Sequence, residues 1–395
     1  MSKSSSAAVP LAELPLATQT ISHELPFIDF IRGLSSLMVV IAHCAEIQWA
    51  EHPQISFSIG ALGVDFFIIV SGFLMTYTLV RGGQGELRPL SRKSLLFFYI
   101  RRYFRIAPLF YAVYLASFFV APVGLWDAFL HFSFLNGLFP QYAGSVIPNS
   151  WSITLEMQFY VAVPFLLAAA RRFSAPFVLI GCAALNLLAS SLWDVYVPGR
   201  GWGFFPQPSF LPLCLGLFVI GIVLGLRHVR SVHAPSLRWS ILLIALEPLL
   251  QPPYSHRFVA AGLALGVLGL QELGRGPRSR LGRALDAGRR RFLAALRGNR
   301  WVKRAADYSY GLYLIHGFVI ASLAVPVMRE AWFQVLPLPL GFGLILAAVL
   351  AVSYAAAYAT FNLVERPGVT LGRWLQERIF PARAHGGTPA ARGPP

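Results

Sequence analysis

Arg32 and His43 are the two residues from which a reaction can most directly be built. Both fall in the apolar run 28–48, where an ionisable side chain is costly enough to be a functional candidate by default. They are eleven positions apart, which at ~100° per residue is three helical turns plus ~20°. One helix face therefore carries both side chains, separated by ~16 Å along the axis. Asp29 precedes Arg32 by one turn and can pair with it. A guanidinium suits a polarised or anionic group. An imidazole titrates near neutrality and suits removal of a proton from a hydroxyl.

Two carboxylates and a basic cluster join this pair. Asp65 lies in Gly63-Val64-Asp65-Phe66-Phe67, and Glu156 in Ser150-Trp151-Ser152-Ile153-Thr154-Leu155-Glu156. Either can orient an imidazole or stabilise its charged form. The competing reading of Glu156 is an acid favoured by a helix N-terminus, and that of Asp65 is a simple pair with a neighbouring helix. Arg92, Lys93, Arg101, Arg102 and Arg105 crowd the start of another apolar run. Arg102 and Arg105 are one helical turn apart, and Arg101 and Arg105 four residues apart, so they can face one phosphate-bearing group. The blander reading is a positively charged membrane anchor. His316 reads as a packing histidine at mid-span, and Cys44 points ~100° away from His43.

These residues must be positioned by membrane-spanning helices. Of 395 residues, 56% are hydrophobic and only 13% charged, where a soluble domain needs roughly a quarter charged. Apolar runs occur near 28–48, 60–80, 104–122, 151–170, 174–192, 207–226, 237–254, 255–274, 307–328 and 338–363, each near the length that crosses ~30 Å of hydrocarbon. The expected fold is an all-α polytopic bundle of about ten transmembrane helices. One further piece, Trp126–Phe139, covers only ~21 Å as a helix and is expected to be re-entrant or interfacial. The net charge of +16 does not indicate a nucleic-acid partner, because the bases sit between apolar runs rather than on a soluble module. Cys44, Cys182 and Cys214 all lie in apolar runs and have neither CxxC spacing nor a loop partner, so no disulfide or zinc site is expected.

Charge orients the bundle. With the N-terminus inside and Trp126–Phe139 not crossing, 29 of the 33 Lys and Arg fall in inner segments, eleven of them in 275–304, as the positive-inside rule requires. That Arg-rich loop is expected to be partly helical and to face solvent or lipid headgroups. The N-terminal segment 1–26 is polar, with no cleavable-signal pattern, and 368–395 reads as a cytoplasmic tail, disordered at its end. With this orientation His43, Asp65 and Glu156 are expected in one layer of the outer half, while Arg101, Arg102 and Arg105 stand at the inner mouth.

At these residues the sequence resembles the acyltransferase-3 family of membrane acyltransferases, which includes polysaccharide O-acetyltransferases. Six pieces occur in the family's order. They are Phe27-Ile28-Asp29-Phe30-Ile31-Arg32-Gly33 with His43; Gly63-Val64-Asp65-Phe66-Phe67 leading to Ser71-Gly72-Phe73-Leu74; and Arg101-Arg102-Tyr103-Phe104-Arg105-Ile106-Ala107-Pro108. The others are Ser150 through Glu156 with Gln158-Phe159-Tyr160; Tyr308-Ser309-Tyr310-Gly311-Leu312-Tyr313-Leu314-Ile315-His316; and Glu365-Arg366-Pro367. Ala107 and Met157 depart from the usual residues without touching the chemistry.

The resemblance covers 27–367, the expected acyltransferase domain of an integral plasma (inner) membrane protein with both termini cytoplasmic. It implies transfer of an acyl group, commonly acetyl, from cytoplasmic acyl-CoA to a carbohydrate or glycosylated acceptor at the far face, with no metal. It assigns roles to Arg32, His43, Arg102, Arg105 and Glu156. His43 is the expected general base, oriented by Glu156 or Asp65, with Arg102, Arg105 and Arg101 on the donor phosphates. Two other classes were weighed. A proton-coupled transporter should show paired broken helices, and no such symmetry is visible. A non-catalytic membrane scaffold needs no protonatable layer.

Overall fold

The computed structural model describes residues 25–48, 53–81, 91–118, 124–139, 141–196, 209–250, 255–273 and 280–380. The N-terminal segment before residue 25, residues 251–254 and the tail beyond Phe380 lie outside these residues. The described chain is helical throughout and contains no strand. This follows from the medium, because only a helix satisfies every backbone group of a single apolar segment internally.

Among the described residues thirteen α-helices of eight residues or more carry the fold. They are α1 (Pro26–Gln48), α2 (Pro53–Arg81), α3 (Arg92–Ser117), α4 (Leu125–Phe132), α5 (Ser150–Arg172), α6 (Ala175–Tyr196), α7 (Leu211–His228), α8 (Leu237–Leu250), α9 (Ser255–Leu273), α10 (Arg280–Leu296), α11 (Arg300–Val319), α12 (Leu338–Thr360) and α13 (Arg366–Ile379). Seven runs are long and apolar enough to cross a membrane: α1, α2, α5, α6, α7, α11 continued to Met328, and α12 continued through α13. By length and composition seven crossings are supported among the described residues, and the ten expected from sequence are not confirmed. Arginines dilute α3, and α8 at 14 residues spans only ~21 Å. The stretch Trp126–Phe139 is not one helix. It divides into α4 and a 3-10 turn, Asn136–Leu138, separated by Phe134 with a left-handed backbone at φ 57°.

The packing fixes relative helix directions. A Cβ on Gly60 would meet Ala42, and one on Gly63 would meet Ser35, Met38 and Val39, so α2 runs antiparallel to α1. The closest helix crossing joins α2 to α7: a Cβ on Gly221 would lie 2.2 Å from the Ile69 carbonyl oxygen, and one on Gly72 2.6 Å from that of Phe218. Such small-residue contacts let backbones approach where apolar lipid gives no hydrophobic drive to association. Phe159 of α5 stacks on Phe218 of α7 with centroids 3.7 Å apart, closing the core between them.

The last helical run continues along α3. α12 passes through a π-helical turn, Phe361–Glu365, into α13. Pro108 lies inside α3, and Gly368 and Gly372 of α13 lie against Pro108 and Phe104. Farther along, the Gln376 side-chain amide donates to the Phe97 carbonyl at 2.7 Å. The segment after Pro367, read from sequence as tail, thus begins as a packed helix. The Arg-rich loop is helical at Arg280–Leu296, with Leu296 and Asp286 buried and Leu285 and Phe292 exposed.

Candidate active site

A cavity of about 150 Å³ opens between α1, α2, α3, α5 and α11. Its polar lining comes from Arg32, Ser71, Thr78, Arg102, Arg105, Ser152, Glu156, Tyr160, Ser309, Tyr310 and Tyr313. Phe67, Ile68, Met75 and Phe218 form much of the apolar wall. Three guanidiniums and one carboxylate lie on this lining.

Each cation is held in a different way. The one-turn spacing of α3 turns both Arg102 and Arg105 inward. The Arg102 guanidinium lies 5.7 Å from the Phe98 ring centre and 5.6 Å from that of Tyr160, a cation–π sandwich. Its Nη2 donates to Thr78 Oγ1 at 3.3 Å. Arg105 forms an ion pair with the buried Glu365, at the π-helical turn, and lies 5.6 Å from the Tyr310 ring. Arg32 Nη2 donates to Ser309 Oγ at 3.3 Å. Arg101, ~100° around α3 from Arg102, is not among the lining residues.

Glu156 belongs with these arginines. Its Oε1 accepts from Ser71 Oγ at 2.9 Å and from the Tyr160 hydroxyl. Toward the opposite end, Ser152 Oγ and the Tyr313 hydroxyl are 2.7 Å apart. Tyr313 packs edge-on against Phe67 at 5.5 Å, and its ring centre is 6.2 Å from that of His316.

Beyond Tyr313 stands a histidine pair. His43 Nδ1 is 2.8 Å from His316 Nε2. The ring centres are 5.1 Å apart with planes 10° from parallel, the separation of rings meeting edge to edge through those nitrogens rather than face to face. His316 is fully buried, whereas His43 is half-buried. Asn149, immediately before α5, places its Nδ2 3.3 Å from His316 Nε2 and from the Tyr313 carbonyl oxygen. Arg32 and His43 thus meet Ser309 and His316, two turns apart on α11, so one face of α1 lies along α11. The two helices run parallel, and α5 runs antiparallel to both.

The expected single layer of His43, Asp65 and Glu156 takes a different form. Asn149 is the α5-side residue at the level of His316. Glu156, seven residues further on, lies ~10 Å along the axis and joins Ser71 and the arginines. Asp65 does not line the cavity. Six residues from Ser71, it sits ~120° around α2 and pairs its Oδ2 with His256 Nδ1 at 2.8 Å. Beside it Arg257 Nη1 donates to Glu247 Oε1 at 3.0 Å. All four residues are buried.

Sequence reasoning passed over His316, Asn149 and Glu365 as working parts. The first was visible as the end of the Tyr308–His316 piece and the third as the start of Glu365-Arg366-Pro367. Asn149 carried no signal beyond its place before Ser150. Among the described residues no group of three His, Cys, Asp or Glu side chains is placed to hold a metal.

Residues 25–358 match an acyltransferase-3 family model described as an acyltransferase domain. The peptidoglycan O-acetyltransferase OatA of Listeria monocytogenes serovar 1/2a is 30% identical over 202 residues, a match covering 44% of this chain and 30% of the relative. The chain therefore spans under a third of that relative's length. No solved structure matches.

Proposed function

The chain belongs to the acyltransferase-3 family, and from that premise we propose that it moves an acetyl group from cytoplasmic acetyl-CoA to a hydroxyl of a glycan at the outer face. Acyl transfer and membrane character follow from the family and the apolar helices. The donor, the direction and the acceptor are our reading. The observation that carries it is the polar path from Arg102 and Arg105, past Glu156, to Ser152, Tyr313 and the His43–His316 pair.

In this reading Arg102 and Arg105 bind donor phosphates by charge-assisted hydrogen bonds, with Arg101 at the rim. Glu365 fixes Arg105, and Tyr160 and Phe98 fix Arg102. The acyl arm lies along the cavity, and Arg32 faces its polar portion. His43 takes the proton from the acceptor hydroxyl as that oxygen attacks the thioester carbonyl. A C–O bond forms, the C–S bond breaks, and the leaving thiolate recovers the proton from His43. Glu156 holds the cavity wall through Ser71 and Tyr160. The positive-inside rule supports a cytoplasmic arginine end. The similarity to a peptidoglycan O-acetyltransferase supports a glycan acceptor.

The test is purified protein with radiolabelled acetyl-CoA and a panel of glycan acceptors. Acceptor-dependent release of free CoA with label in the glycan supports the assignment. Binding without transfer to any hydroxyl acceptor contradicts it.

A further inference from the structure

The hydrogen bonds around His316 decide which nitrogen of His43 carries a proton. His316 Nδ1 is 3.0 Å from the Leu312 carbonyl oxygen. A carbonyl only accepts, so His316 carries its proton on Nδ1. Its Nε2 is then a lone pair, and both atoms that approach it must donate. One is Asn149 Nδ2 at 3.3 Å, and the other is His43 Nδ1 at 2.8 Å. His43 is thereby protonated on Nδ1 and presents the Nε2 lone pair.

We propose that His316, steadied by Leu312 and Asn149, is a positioning residue that locks His43 in the Nδ1–H tautomer and so makes Nε2 the nitrogen that removes the acceptor's proton. The inference rests on His43 being the base, and extends that reading to a residue the family resemblance assigned no role. Its physical content is that the orienting group is neutral. A carboxylate partner would add a full negative charge behind the imidazole. A buried neutral imidazole supplies direction and tautomer alone, keeping His43 free of a competing ion pair while it cycles between neutral and protonated forms. The sequence is balanced: the proton gained at Nε2 from the hydroxyl returns from Nε2 to the thiolate, and the Nδ1–H stays with His316 throughout.

The direct test is the nitrogen NMR spectrum of detergent-solubilised protein labelled with ¹⁵N-histidine, with His43 assigned by comparison with His43→Gln. We expect the neutral His43 ring to show a protonated Nδ1 and an unprotonated Nε2. A proton on Nε2 in the wild-type protein overturns the inference.

Kinetics give the second arm. His316→Phe keeps a ring but no acceptor, and should lower kcat by roughly 10- to 100-fold with the KM for acetyl-CoA unchanged. His316→Gln restores a carbonyl acceptor and should recover part of that loss. Wild-type kcat in His316→Phe, with His43→Ala inactive, overturns the role of His316 and leaves His43 as base. Full activity in His43→Ala removes the base assignment instead, and the tautomer is still judged by the spectrum.

Discussion

Two groups of buried charge occupy this bundle, and they are built differently. The first, Arg32, Arg102, Arg105 and Glu156, surrounds open space and leads to the His43–His316 pair. The second, Asp65 with His256 and Glu247 with Arg257, joins α2, α8 and α9 in one cluster away from that cavity. Both would be flagged by the rule that an intramembrane charge marks function. What separates them is space. The second group is closed by its own ion pairs, while Arg32, Arg102, Arg105 and Glu156 of the first face a void. A charged group in a membrane is a site when room is left beside it for a ligand, and packing when its partner already fills that room.

The contrast is broken or sharpened by a graded set of substitutions. His43→Ala should have the largest effect, a loss of transfer of about 100- to 10,000-fold with unchanged membrane insertion, read from labelled acetyl transfer at matched protein levels. Next, Arg102→Ala should raise the KM for acetyl-CoA by roughly 10- to 100-fold through loss of charge-assisted bonds, while kcat at saturating donor changes far less. Glu365→Gln should follow with a smaller rise, roughly tenfold, because Arg105 remains but is no longer held, and donor titrations will place it between wild type and Arg102→Ala. Smallest on turnover is Glu247→Gln. It removes the charge of one acid beside the buried Arg257, and breaking a buried pair costs about 3 to 5 kcal/mol at most. It should therefore lower the thermal midpoint and leave kcat/KM of the remaining folded protein nearly intact.

Much of this was legible in the sequence, and the reasons are specific. The Arg32–His43 spacing correctly implied one helix face, and that face lies on α11 because Ser309 and His316 repeat at two turns. The relative directions of α1, α2, α5 and α11 are those that the charge census requires. Depth was less legible. Counting residues from the start of an apolar run put Glu156 level with His43, but α5 meets His316 with Asn149, so Glu156 falls two turns away. Rotation about a helix axis was hidden for Asp65, whose direction depends on the remote His256. Glu365 could be read as a motif but not as the partner of Arg105, since the π-helical turn that carries it is placed by the packing of α13 against Pro108 and Phe104.

The most direct test of the distinction compares one residue from each group by one assay, the equilibrium binding of acetyl-CoA to purified protein with the thermal midpoint recorded alongside. We expect Arg102→Ala to weaken binding at least about tenfold with a small change in midpoint, and Asp65→Asn to lower the midpoint while binding stays near wild type. Unchanged affinity in Arg102→Ala, or an equal loss of affinity in Asp65→Asn, would contradict the division of this bundle into a charged cavity that works and a charged cluster that holds.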